Sequence, residues 1–234
     1  AELARYKSAQ AALGKTVSDE EAAQTVLDDM IAQVLLAQGA RAAGLSITEA
    51  ALQSKIDALT ASLGGADKLS AWQSTHGYTD ESFRSALKRS AEAALMRDKI
   101  IAEVPGTVEQ VHARQILLYN DAEAQSVLAQ LKAGAKFDEL ATQYNRSPQL
   151  ETRGDLGWFP QGYLLDANLE AAAFALQAGQ FSEVIASEVG FHILYIVERG
   201  PHPLSPDARL VLQGRAVTDW VSGQRAQAVI VTAP

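Results

Sequence analysis

Near residue 105 the hydrophobic period of the chain changes, and no one-element architecture survives that change. Before it, apolar residues recur at helical spacing: Val26, Leu27, Met30, Ile31, Val34 and Leu35 fall on one stripe. Ser18 followed by Asp19, Glu20 and Glu21 resembles a capping box, and Gly39 and Gly44 read as stop signals, so a helix is predicted from about Ser18 to about Ala43. SITEAALQSKIDALTASLGG predicts a second helix, with Thr48 or Ser46 as cap and Gly64-Gly65 as terminator. ADKLSAWQSTHG predicts a short third helix ended by Gly77. TDESFRSALKRSAEAALMRDKIIAEV predicts a long fourth, capped by Thr79 or Asp80, with Phe83, Leu87, Ala91, Ala94 and Leu95 on its buried face. Trp72, Phe83 and Met96 read as core residues before groove residues.

At VPGTVEQ, Pro105 and Gly106 break the helix, and VHARQILLY brings β-branched and aromatic content. A domain boundary is placed near residue 107. Two helices are then predicted, DAEAQSVLAQLKAG and KFDELATQY, followed by a Gly/Pro-rich loop from Asn145 to Gly162. LLDANLEAAAFALQAG predicts a third helix, and FSEVIA and GFHILYIVE predict strands, which makes a small α/β domain. GPHPLSP reads as a linker to a final helix whose stripe is Leu210, Val217, Trp220 and Val221. That helix is too short to hold a core alone and is expected to pack back on the N-terminal helices. The fold class is therefore α+β, with residues 1–107 helical, 108–200 an inserted α/β domain, and 201–234 a linker and returning helix.

Composition removes several functions. The formal charge of −8 has the wrong sign for a protein that neutralises phosphates, which sets nucleic acid aside. With no cysteine there is no disulfide framework, thiolate nucleophile or zinc ribbon. His76, His112, His192 and His202 lack local metal-site spacing, so neither metal nor cofactor is expected. No apolar stretch reaches the roughly 18 to 20 residues of a membrane span. The chain opens without Met inside a helical pattern, which fits a leader or anchor ahead of it.

VHARQILL, GAKFDELATQY, RGDLGWFPQGYL, LEAAAFALQAGQFSEVI and GFHILYIVERG, taken in order, resemble a parvulin-type peptidyl-prolyl cis/trans isomerase domain over residues 108–200. The resemblance implies a βα3βαβ2-type domain. DDMIAQVLLAQGARAAGLSITEAALQSKI and GYTDESFRSALKRS are similar to the N-terminal domain of SurA-like and PrsA-like extracytoplasmic foldases. These kinships imply an isomerase and chaperone acting on unfolded polypeptides with X-Pro segments. They also imply an extracytoplasmic location, with membrane anchoring through a segment ahead of this chain. The rival readings are a binding module that keeps the parvulin fold without turnover, and a subunit docked on a membrane complex.

The resemblance also assigns site residues. The family pairs two histidines beside a small polar residue, with a Met or Leu and a Phe around the prolyl ring. Here the second histidine falls on His192, the small polar position on Ser147, and the Met or Leu position on Leu164, with Leu165 as alternative. The first histidine is replaced by Gln115 and the pocket Phe by Leu169. Phe174 joins the implied substrate contacts, and Phe159 either lines the groove or packs its loop. Gln115 can hold a hydrogen bond but cannot titrate, and Leu169 stays apolar without a flat ring, so weak activity is the expectation. His112 stands an odd number of residues from Gln115, on the other face of a regular strand, and is not expected to substitute for the missing histidine.

Overall fold

The computed structural model describes residues 2–145 and 154–231. Among them are nine helices and one four-stranded antiparallel sheet. The chain divides into two compact units, residues 1–103 with 216–234, and residues 104–215.

The first unit is helical: α1 (Glu2–Ala12), α2 (Asp19–Ala42), α3 (Glu49–Leu63), α4 (Ala66–Thr75) and α5 (Asp80–Ala102), with the later part of α9 (Pro206–Gln227). The capping signals act as chemistry requires. Ser18 accepts from the Glu21 N–H while the Glu21 carboxylate takes the Ser18 N–H, which satisfies two otherwise orphaned donors at the start of α2. Thr48 caps α3 and Thr79 caps α5. Two apolar clusters hold the unit. One joins Leu36, Ala37 and Ala40 of α2 to Ala93, Met96 and Ile100 of α5, with Val217, Trp220 and Val221 of α9 packed on it. The other gathers Leu52, Ile56, Leu69 and Phe83 under Trp72 and Tyr78. Phe83, Met96 and Trp72 are thus core residues.

Two expectations in this unit need correction. Gly39 does not stop α2, which runs on to Ala42; a Cβ at Gly39 would stand 2.4 Å from the Trp220 ring, so the missing side chain makes room for an indole. Leu210 is exposed and takes no part in the stripe that Val217, Trp220 and Val221 form on α9.

The second unit runs β1 (Thr107–Leu118), α6 (Asp121–Lys132), α7 (Phe137–Tyr144), β2 (Asp155–Pro160), α8 (Ala167–Ala175), β3 (Ile185–Ser187) and β4 (Gly190–Pro203). The sheet order is β2-β1-β4-β3. Alternation along the two long strands sorts side chains into two layers. Ile116, Leu118 and Ile193 bury against α6 and α7 on one face, while Val111, Ala113, Leu194 and Ile196 meet Phe159 and α8 on the other.

Three expectations change here. The loop expected from Asn145 to Gly162 contains edge strand β2, whose Gly157 (φ 67°) and terminal Pro160 disguise it as turn sequence. The first four residues of the expected linker GPHPLSP instead continue β4, with Pro203 paired to Thr107 and Pro201 to Glu109. Prolines are tolerated there because β3 pairs only with Gly190–His192, so the far part of β4 has a free edge. Of FSEVIA, only the end becomes strand β3, and Phe181 makes an isolated bridge to Tyr195. Between β1 and β2 the described residues form two helices, α6 and α7.

Candidate active site

The sheet register brings the implied residues together. Gln115 pairs with Leu194 and Leu117 with His192, so Gln115 and His192 sit diagonally on the face that carries Leu194 and the α8 cluster. His192 Nδ1 lies 2.9 Å from Gln115 Oε1, and His192 Nε2 lies 2.7 Å from Ser187 Oγ. The assignment that satisfies all three groups is Nδ1–H donating to the Gln115 carbonyl and the Ser187 hydroxyl donating to Nε2. The Val189 N–H donates to Ser187 Oγ at 3.2 Å, and of the two acceptors in reach of the hydroxyl proton, Gly190 O at 3.3 Å and His192 Nε2 at 2.7 Å, the imidazole is the nearer. The histidine is neutral in this arrangement. Burial agrees with it: His192 is 3% exposed, and desolvation holds its pKa below the ordinary 6.5, while the Asp166 carboxylate opposes that shift.

Gln115 is held from behind. Its N–H donates to Gly154 O at 2.7 Å, and its carbonyl accepts from Asn145 Nδ2 at 2.8 Å. Asn145 Oδ1 also accepts from Leu117 N–H, so one side chain clamps two positions of β1 at the end of α7. Gly154 adopts φ 80°, and a Cβ there would stand 2.1 Å from the Gln115 carbonyl oxygen, so only glycine allows this approach. Asp166 has two tasks as well. It caps α8 by accepting from Asn168 and Leu169 N–H groups, and its charge reaches His192.

The sheet face that carries His192 is otherwise apolar. Leu164, Leu169 and Phe174 are partly buried against the cluster of Val111, Ala113, Leu194 and Ile196. Glu170 draws the Tyr163 and Leu164 N–H groups onto its carboxylate at 2.9 and 3.1 Å, which fixes the turn that presents Leu164. Leu165 is fully exposed, whereas Leu164 packs on this cluster. Phe159 is 0% exposed and meets Phe174 edge-on with centroids 6.1 Å apart; it is interior packing and offers no surface to a substrate. Ser147 lies outside the described residues.

His112 belongs to the opposite face. Its Nε2 contacts Asp155 Oδ1 at 2.8 Å, and its ring lies beside Trp158, which stacks on His202 at 4.4 Å. Burial raises the Asp155 pKa, but the Gly157 N–H, His112 and Arg114 together outweigh it and hold the carboxyl below its usual range. Sequence reading missed Ser187, Asn145 and Asp166. Ser187 and Gly190 pair across the β3–β4 turn and place the serine diagonal to His192, a placement that comes from register and leaves no local sequence signal. Among the described residues there is no group of three or more His, Asp or Glu arranged to hold a metal ion.

Comparison with known proteins assigns the same stretch of chain to a family. Residues 107–198 match the family described as Rotamase: PPIC-type PPIASE domain. The chain is 32% identical over 148 residues to the chaperone SurA of Bordetella avium, across 55% of this chain and 29% of that protein. It is 34% identical over 89 residues to the foldase protein PrsA of Bacillus subtilis, across 38% of this chain and 30% of that protein. The matches therefore span about a third of the length of these relatives. In fold, the chain is similar to the crystal structure of the peptidylprolyl isomerase PrsA from Bacillus cereus, with a TM-score of 0.56 at 20% identity over 94% of this chain and 92% of that one. At residues 107–198 the chain carries a parvulin-type rotamase domain of the PPIC family, within a SurA- and PrsA-like sequence.

Proposed function

We propose that the protein is a peptidyl-prolyl cis/trans isomerase and foldase that acts on X-Pro segments of unfolded polypeptides. The observation that carries this reading is the hydrogen-bonded chain Gln115–His192–Ser187 on the apolar face walled by Leu164 and Leu169, inside the rotamase domain. Rotation about an X-Pro amide is opposed by roughly 20 kcal/mol of C–N double-bond character, and no covalent bond need break. A site that takes the prolyl ring out of water disfavours the charge-separated planar amide. It needs only a few fixed dipoles to favour the twisted form. His192 supplies such a dipole as a neutral imidazole, Gln115 and Ser187 fix its tautomer and angle, and Leu164 and Leu169 supply the apolar wall.

An extracytoplasmic place of work accompanies the kinship with SurA and PrsA. Among the described residues no helix is long and apolar enough to cross a membrane. Proteinase added to cells whose outer envelope has been opened while the cytoplasmic membrane stays sealed tests the location, since a cytoplasmic protein would be spared and an extracytoplasmic one digested.

A protease-coupled assay on a short X-Pro peptide tests the activity. Acceleration over the thermal rate at micromolar protein is expected, reduced about tenfold or more by His192→Ala. A rate equal to the thermal one rejects turnover and leaves peptide binding alone. Acceleration that His192→Ala leaves intact rejects the site.

A further inference from the structure

The helical unit holds a groove that the isomerase reading leaves unused. Its walls are single faces of α1, α2 and α5, and its volume is about 780 Å³, within the range of about 300–1,000 Å³ common to ligand pockets. Ala86, Leu87, Ala93 and Ala94 of α5 face Val26 and Met30 of α2 across an apolar floor. Met30, an adaptable thioether, is half exposed there.

The cations of this groove are unevenly matched. Arg5 is paired with Glu2 on its own helix. Arg89 and Arg97 have no ionic partner among the described residues, and Arg89 Nε is shut off from water without a hydrogen bond. Asp29 of α2 is the one unpaired acid on the opposite wall, which leaves the lining with an excess of positive charge. A carboxylate is the group whose geometry matches the fork of a guanidinium that lines a groove without an ionic partner. Arg89 and Arg97 stand eight residues apart on α5, about 12 Å along a helix axis at 1.5 Å per residue. An extended chain covers that span in about four residues at roughly 3.3 Å each.

We infer that the groove between α1, α2 and α5 binds an extended, unfolded segment in which two acidic side chains flank three apolar residues, the middle one small. The acids and the middle apolar residue share one face of the extended segment, so the acids meet Arg89 and Arg97 while the middle residue lies on the alanine-rich floor, and Asp29 and Gln33 are acceptors for the segment's N–H groups. This deepens the foldase reading by naming a segment class that contains no proline. Its assay is therefore independent of isomerase turnover.

The test is fluorescence anisotropy with a labelled, end-blocked peptide Gly-Glu-Leu-Ala-Leu-Glu-Gly, beside versions with Gln or Lys in place of both Glu. Saturable binding of the Glu peptide is expected, about tenfold weaker for the Gln peptide and absent for the Lys peptide. Arg89→Gln and Arg97→Gln should each weaken the Glu peptide about tenfold, Arg89→Lys less, and all three should keep full activity on an X-Pro peptide. Arg97 is exposed, so its variant reports even if Arg89→Gln folds poorly by circular dichroism. Equal binding of Glu and Gln peptides, no saturable binding, or indifference to Arg97→Gln overturns the inference. Sedimentation showing a dimer that Arg97→Gln disperses would give the groove to a second copy instead, and overturns it too. Loss of isomerase activity with these binding results intact would sink the isomerase reading alone.

Discussion

With an amide rather than an imidazole on its Nδ1 side, His192 keeps one tautomer over a wide pH range, because Gln115 can neither give up nor take a proton. Replacing Gln115 with histidine creates a pair that shares protons, and Leu169→Phe returns a flat wall against which a prolyl ring packs. Each change is expected to raise kcat/KM several-fold in the coupled assay. Gln115→His should also add a second ionisation to a pH profile expected to show only one in the wild type. A decrease in rate for both variants would mean that this site is adapted to its own residues. The lowered pKa of His192 has a consequence for stability as well. The unfolded chain takes up a proton below about pH 6.5, whereas the native chain does so only at a lower pH. Stability is therefore complete above about pH 6.5 and is lost as pH falls from there to the native pKa, levelling off below it. Urea midpoints at pH 7.5 and 5.5 should fall further apart for the wild type than for His192→Gln.

At the scale of elements, single glycines carry contacts that composition alone misreads. Gly39 has the sequence signature of a stop, yet it lies inside α2 under Trp220. Gly39→Ala gains about 1 kcal/mol of helix propensity but drives a methyl into the indole, at about 1–3 kcal/mol. The protein should lose stability on balance, while in a Trp220→Ala background the same substitution should stabilise it. A thermal melt of the four variants reads this change of sign, and additive effects would deny the contact. Gly154→Ala strikes the site from behind, because its methyl meets the Gln115 carbonyl at a backbone with φ 80°. A loss of about 2 kcal/mol or more is expected, together with a fall in turnover. The caps Ser18, Thr48 and Thr79 were legible because a cap is a local bargain between neighbouring residues. The pairing of His192 with Gln115 was legible only through family likeness. Ser187, Asn145 and Asp166 were not, since their roles come from strand register and from a loop returning 30 residues later. Strand β2 hid for a similar reason: an edge strand of six residues with a central glycine has no period of its own.

For the whole molecule, the decisive fact is that each unit owns its apolar clusters. The clusters around Ile116 and Phe159 lie wholly within residues 104–215, whereas the cluster on Met96 needs Val217, Trp220 and Val221 from the far end of the chain. A chain ending at residue 215 should therefore keep its sheet and its X-Pro activity but lose much of its helical unit. Removing a packed tryptophan and two valines costs about 3–5 kcal/mol, against a total of about 5–15 kcal/mol for a typical domain. The tryptophans separate the two responses, because Trp158 stacks within the α/β unit and Trp72 packs within the helical one. In the truncated chain, with one of these two replaced by Phe at a time, Trp72 emission should shift red and lose its cooperative urea transition. Trp158 emission should keep both its wavelength and its midpoint. If both tryptophans lose their transitions together, the two units fold as one, and the independence of the α/β unit is refuted.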